Sequence, residues 1–252
     1  MNSFDLTGKH AVITGAGRGL GRGIAEGLCR ANASVSLIGT SKNVQDTALR
    51  LRSQGYVADG YICDISDDPA LEDVFSRILI DHEGQLDILV NNAGIQRRSP
   101  CEDFPLEDWD RVLNVNLTAV FRLCQLAGRV MLEQGGGKII NLASMLSFFG
   151  GYTVPAYAAA KGGVAQLTKA LSNEWAIRNI QVNAIAPGYM ATDMNTRLME
   201  DPGRNQEILS RIPAGRWGTP EDIAGLAVFL ASGASDYISG AVIPVDGGYL
   251  GR

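Results

Sequence analysis

Seven short apolar runs alternate with longer stretches of helical spacing along this 252-residue chain. The runs are His10–Thr14, Ser34–Gly39, Val57–Cys63, Leu86–Val90, Lys138–Ala143, Ile180–Ile185 and Ala241–Val245. Between them, Leu20–Ala31, Val44–Gln54, Asp68–Glu83, Leu106–Glu133, Pro155–Arg178 and Pro220–Ala231 place apolar residues three and four apart, as a helix with one buried face does. Strands separated by helices pair in parallel, because a crossover helix returns the chain to the same edge of the sheet. Strands alternating with helices in this way argue for a sheet covered on both faces. The pattern predicts an α/β fold, a doubly wound parallel sheet of about seven strands. No linker or repeat interrupts it, so residues 1–252 read as a single domain. The stretch 190–217 lacks clean periodicity and follows the sixth run, where such sheets place their ligand crevice. It reads as a substrate lid.

Composition supports this and excludes other classes. Hydrophobic residues make up 46% and charged residues 19%, enough for a sizeable core and too apolar for a disordered chain. The formal net charge is −5 with no basic run, which argues against a nucleic-acid partner. No apolar stretch approaches the roughly 20 residues of a membrane span. The first ten residues carry no secretion pattern, and Cys29, Cys63, Cys101 and Cys124 have no paired spacing. The expectation is a cytoplasmic protein off the membrane. Two histidines, His10 and His82, stand apart from any ligand cluster, so no metal is expected.

The segment Thr14-Gly-Ala-Gly-Arg-Gly-Leu-Gly21 lies between the first apolar run and the first helical stretch. Gly15 permits a tight turn, and Gly19 and Gly21 let backbone approach a pyrophosphate at the positive end of the helix. The position is that of a Rossmann-type dinucleotide loop, with Gly17 as an additional glycine.

Tyr157-Ala-Ala-Ala-Lys161 sets a phenol and an ammonium four residues apart, on one face of a helix. A lysine charge near a phenol favours the phenolate and lowers its pKa, normally about 10. Such a tyrosine is a general base or acid near neutral pH. Ser144, just beyond the fifth run, is placed to hydrogen-bond a substrate oxygen.

With these motifs in order, the chain resembles the short-chain dehydrogenases/reductases over essentially its whole length. The residues carrying the resemblance are the loop Thr14–Gly21, Asn91-Asn-Ala-Gly94, Asn116, Ser144, Tyr157 with Lys161, and Pro187-Gly188 followed by Thr192. The resemblance implies that Tyr157 exchanges a proton with substrate, Lys161 lowers its pKa and binds the nicotinamide ribose, Ser144 orients the substrate oxygen, and Asn116 holds a water of the relay. It assigns the cofactor to Gly15, Arg18, Gly19, Leu20, Gly21, Asp64, Ile65, Asn91, Ala93, Gly94, Tyr157, Lys161, Pro187, Gly188, Met190 and Thr192. Asp64 is either an adenine contact or the cap of the next helix, and Thr192 either flanks the nicotinamide or caps a short helix. Family members are commonly homotetramers. The helices Leu106–Glu133 and Pro155–Arg178 and the glycine-rich end Val245–Arg252 would build the contacts.

The cofactor is NAD or NADP. No acidic residue stands at the end of the second run, Leu37-Ile-Gly-Thr-Ser-Lys42, which leaves room for a phosphate beside Arg18 or Lys42. The resemblance leans weakly to NAD. Other segments, Asn92–Arg98, Ala143–Ser147, Ile185–Thr192 and Arg211–Gly218, resemble the branch of the family acting on sugar acids. A carboxylate suits the bidentate fork of Arg97 or Arg98, unless these are solvated or paired with Glu102 or Asp103. Met145 and Tyr189 are candidate pocket walls, with Met190 and Trp217. A reductase of an acyl-carrier substrate and a non-catalytic nucleotide sensor are the other readings.

Overall fold

A computed structural model describes residues 3–251. Met1, Asn2 and Arg252, the ends of the expected domain and tail, lie outside the described residues. Seven parallel strands form one sheet: β1 (His10–Thr14), β2 (Ser34–Gly39), β3 (Ala58–Ile62), β4 (Ile88–Asn91), β5 (Gly137–Leu142), β6 (Ile180–Pro187) and β7 (Val242–Val245), in the order β3-β2-β1-β4-β5-β6-β7. The expected runs match these strands to within two residues at each end.

Strand pleating sends alternate residues to opposite faces. In β1, Ala11 and Ile13 join a core beneath α1 (Gly19–Arg30), α2 (Asn43–Ser53) and α9 (Pro220–Ala231). Val12 points the other way, into a second core under α3 (Asp68–Asp81), α5 (Ala119–Gln134) and α6 (Pro155–Trp175). In β4, Ile88 and Val90 face the first core and Leu89 the second. Both faces of the sheet are therefore dry, which is why its strands carry so few polar residues. Gly27 lets α1 lie against α9, since a Cβ there would sit 2.9 Å from the Ala224 Cβ.

One expected element differs. Leu106–Glu133 is not a continuous helix. It divides into α4 (Leu106–Leu113), a π-helical turn at Asn114–Thr118, and α5. The Ala119 amide bonds the Asn114 carbonyl five residues back, so one extra residue is accommodated. Such turns often mark functional sites.

The strand order reverses between β1 and β4, so their following loops diverge and open a crevice at the carboxyl ends. Over its β6 side lie two short helices, α7 (Thr196–Glu200) and α8 (Pro202–Arg211), within the stretch expected as a lid.

Candidate active site

The crevice is built by stapling two loops together. Thr14 Oγ1 accepts hydrogen bonds from the Asn92 and Ala93 amides, each 3.1 Å. Asn92 Nδ2 donates back to the carbonyls of Thr14 (2.9 Å) and Gly15 (3.2 Å). Gly15 adopts φ +66° beneath this staple, and a Cβ there would lie 2.8 Å from the Ala93 Cα. Asn92, which the sequence reading passed over, holds the glycine loop in shape. Asn91 is turned the other way. Its buried side chain donates to Asn141 Oδ1 (2.9 Å), so anything it gives to the crevice comes from its backbone.

Helix α1 starts at this loop with no side-chain cap and no acidic residue in its first turn. Asp67 caps α3, Asp201 caps α8 and Thr219 with Asp222 caps α9, whereas α2, α4 and α6 lack a side-chain cap as α1 does. What sets α1 apart is that its uncapped N–H groups follow the glycine loop at the crevice, a position suited to a dinucleotide pyrophosphate. Thr192 begins a turn without capping it and lies over Gly19, 3.6 Å from where a Cβ would be. Arg18 reaches across to Asp193 at 3.5 Å, joining the glycine loop to the turn that precedes α7.

Asp64 is not the cap of the next helix, because Asp67 takes that place. Its carboxylate accepts from the Ser66 amide (3.0 Å) and hydroxyl (2.7 Å), which fixes it, exposed, past the end of β3. Ile65 is buried beside it. At the end of β2, Thr40, Ser41 and Lys42 are exposed with no carboxylate among them.

The residues expected to transfer a proton converge from three elements. Tyr157 and Lys161 stand one turn apart on α6, with Nζ 5.7 Å from the phenol ring centre. Ser144 follows β5 and hydrogen-bonds Tyr157. Lys161 is 3% exposed, and Nζ donates to the Leu142 carbonyl at 2.5 Å. Burial lowers its pKa to about 8. The Tyr157 phenol is pushed up, above 10, by burial, against the smaller downward pull of the Ser144 hydrogen bond. Both shifts have the same first cause, the exclusion of water around the two side chains.

Ser144 is fixed by a residue the sequence did not single out. Ser147 Oγ accepts from the Ser144 amide (3.3 Å) and donates to the Lys161 carbonyl (2.7 Å). Ser144 Oγ in turn accepts from the Leu146 amide at 3.2 Å. The serine turn is thereby tied to the helix carrying Tyr157 and Lys161.

Asn116 lies in the π-helical turn, fully buried. Its Nδ2 donates to the Ile95 carbonyl and its Oδ1 accepts from the Ile95 amide, both 2.8 Å. This two-point clamp holds the backbone after Gly94. A Cβ on Gly94 would lie 3.2 Å from Asn116 Oδ1 and 4.0 Å from Lys161 Nζ, so Gly94 marks where the two side chains meet.

The remaining candidates separate. Gly188, bonded to the Val245 carbonyl, has no space for a side chain, since a Cβ would lie 2.6 Å from the Asp246 Cα. Met190 is 3% exposed and packs into the core instead of lining the crevice, because its backbone bridges to Gly218. Met145 is likewise buried, packed with Ile208 of α8, Ile212 and Tyr249. Tyr189 meets Trp217 and Tyr249 edge-on, each at 5.5 Å. Leu20, half-buried, packs on the core beside the loop, and Pro187 ends β6. Arg97 Nε donates to Asp108 at 3.2 Å, not to Glu102 or Asp103, and Arg98 is exposed. Among the described residues no helix is long and apolar enough to cross a membrane.

Comparison with known proteins agrees with this geometry. A family model described as enoyl-(acyl carrier protein) reductase matches residues 15–250. A 2-dehydro-3-deoxy-D-gluconate 5-dehydrogenase of Bacillus subtilis (strain 168) is 51% identical over 253 residues, covering 100% of this chain and 98% of the relative. A crystal structure of a protein described as an NAD(P)-dependent gluconate 5-dehydrogenase from Beutenbergia cavernae, with NADP bound at low occupancy, superimposes with TM-score 0.96 at 47% identity, over 100% of both chains. Another, described as a 2-deoxy-D-gluconate 3-dehydrogenase from Agrobacterium tumefaciens with bound NADP, gives TM-score 0.94 at 48% identity, again over 100% of both.

Proposed function

This chain belongs to the short-chain dehydrogenase/reductase family, and from that premise we propose that it interconverts a secondary alcohol and a ketone on a sugar acid of the 2-dehydro-3-deoxy-D-gluconate type. It is an NAD(P)-dependent oxidoreductase. The observation that carries the reading is the junction of Ser144, Tyr157 and Lys161 beside an uncapped helix N-terminus.

Each residue has a distinct task. The α1 amides hold the pyrophosphate, and Lys161 offers its two remaining N–H donors to ribose hydroxyls. Ser144 donates a hydrogen bond to the substrate oxygen and fixes it against Tyr157. A bound nicotinamide would supply the hydride chemistry. Tyr157 moves the matching proton at its hydroxyl. Its hydroxyl donates that proton in ketone reduction and takes it back in alcohol oxidation. Asn116 holds the Ile95 backbone, and with it the floor of the relay.

Nothing at the end of β2 repels a 2′-phosphate, so both NAD and NADP are accepted. A homotetramer is supported by the exposed apolar residues Leu106 on α4 and Phe121 on α5, and a cytoplasmic location by four unpaired thiols. Gluconate 5-dehydrogenase activity is a second reading, supported by the Beutenbergia cavernae likeness.

A panel of 2-dehydro-3-deoxy-D-gluconate, 2-deoxy-D-gluconate, D-gluconate and an acetoacetyl thioester, each assayed with NAD and with NADP, tests the proposal. Turnover of the sugar acids without the thioester supports it. Turnover of the thioester alone would replace it with acyl reduction, and cofactor binding without any turnover would mean a nucleotide sensor.

A further inference from the structure

A cavity of about 500 Å³ lies beneath the lid, lined by Phe149, Arg211, Tyr249 and Leu250. Its walls come from the segment after the serine turn, the last residue of α8, and the C-terminal turn. Tyr249 is the hub. Its ring stacks against Phe149 at 6.0 Å, meets Tyr189 edge-on, and packs with Met145, the residue next to Ser144. Tyr249 thus connects the cavity lining to the buried residue that follows Ser144.

Arg211 is the only cation in this lining. Its guanidinium carbon lies 4.8 Å over the Tyr249 ring. Stacking engages the face of the guanidinium and leaves its in-plane N–H donors free for an anion. No carboxylate among the described residues pairs with it. Glu207, one turn back on the same helix, is held by Arg204 at 2.6 Å. Of the two arginines expected from the sequence, Arg97 already donates to Asp108 and to the Gln96 carbonyl, and Arg98 is exposed and does not line this cavity.

We propose that Arg211, stacked on Tyr249, is the carboxylate anchor of the substrate site, and that it selects sugar acids over neutral sugars. The proposal rests on the sugar-acid reading above. It makes the lid part of recognition: an acid bridging Arg211 and Ser144 holds α8 over the crevice, with its reacting carbon several bonds from the carboxylate.

The test compares 2-dehydro-3-deoxy-D-gluconate with its uncharged methyl ester. Binding to enzyme loaded with NADPH is measured by calorimetry, which needs no turnover, and steady-state oxidation is measured in parallel. Wild type should prefer the acid. Arg211→Met should weaken acid binding and raise its KM roughly tenfold to a hundredfold, as expected for a lost charge-assisted pair, with ester binding and kcat little changed. Arg211→Lys should recover part of the preference, and this soluble, charge-conserving variant covers the case that Arg211→Met does not fold. Equal losses for acid and ester, no loss, or a selective loss in Arg97→Met instead would overturn the proposal. Failure of the functional reading looks different: wild type then binds the acid through Arg211 without oxidising it.

Discussion

Ser147 Oγ donates to the main-chain carbonyl of Lys161 at 2.7 Å while accepting from the Ser144 amide, so a single hydroxyl joins the serine turn to the helix of the tyrosine and lysine. Ser147→Ala should leave Ser144 on a looser turn. The expected result is a fall in kcat of roughly tenfold with cofactor affinity retained, because small misplacements near reacting atoms are costly. Ser147→Thr, which keeps the hydroxyl, should restore most of the rate. A loss of cofactor affinity matching the loss of kcat would show a general structural role instead.

Lys161 is buried without a carboxylate partner, and burial lowers its pKa from 10.5 to about 8. Holding the charge there costs about 3 kcal/mol by that shift. The unfolded chain keeps the proton up to its own higher pKa, so wild-type stability should rise between pH 8 and pH 10.5 through this group. Lys161→Met removes the cost but leaves the Leu142 carbonyl unpaired, a partial offset. The variant should be inactive yet melt a few degrees higher, since about 1 kcal/mol shifts a chain this size by roughly 2–4 °C. A lower melting temperature would mean that the hydrogen bond outweighs the charge burial.

Much of this was legible in the sequence. Strand positions were readable because parallel strands covered on both faces must be apolar throughout, as in His10–Thr14. The closeness of Tyr157 and Lys161 was readable because a four-residue spacing keeps two side chains on one helix face. The π-helical turn was not, since inserting one residue leaves the apolar pattern of Leu106–Glu133 nearly intact. Ser147 and Asn92 act through contacts 14 and about 78 residues away in the chain, which no local pattern carries. Spacing shows that an ammonium is near, and only the packed structure shows how completely water is excluded. Arg211 and Tyr249 belong to elements that meet only in three dimensions.

Acid sensitivity should come from the opposite end of the sheet. His10 is buried, and its ring stacks on that of His82 at 3.6 Å. Ser34 Oγ lies 3.0 Å from its Nδ1, and Asp87 accepts from its amide. His82 faces Ser36 at 3.1 Å and Asp59 at 3.8 Å, while Lys9 pairs with Asp87. Burial first, and then the His82 charge, push His10 down to about 3, against Asp87. The unfolded chain takes up this proton near pH 6.5 and the folded chain does not. Stability should therefore fall as pH drops below 6.5, at up to about 1.4 kcal/mol per pH unit from this group. Urea melts between pH 7 and pH 5 check the slope, which His10→Asn should flatten. An unchanged slope in the variant would assign the acid sensitivity to other groups.

The central claim is that Tyr157 moves the proton while the surrounding loops bind the cofactor independently of it. The most direct measurement is Tyr157→Phe, followed by NADPH binding through nucleotide fluorescence and by turnover of the best sugar acid. The account predicts binding within about threefold of wild type and a loss of turnover of at least a thousandfold, consistent with the usual range for positioned general acids and with the lost Ser144 hydrogen bond. Turnover within tenfold of wild type, with binding intact, would contradict it.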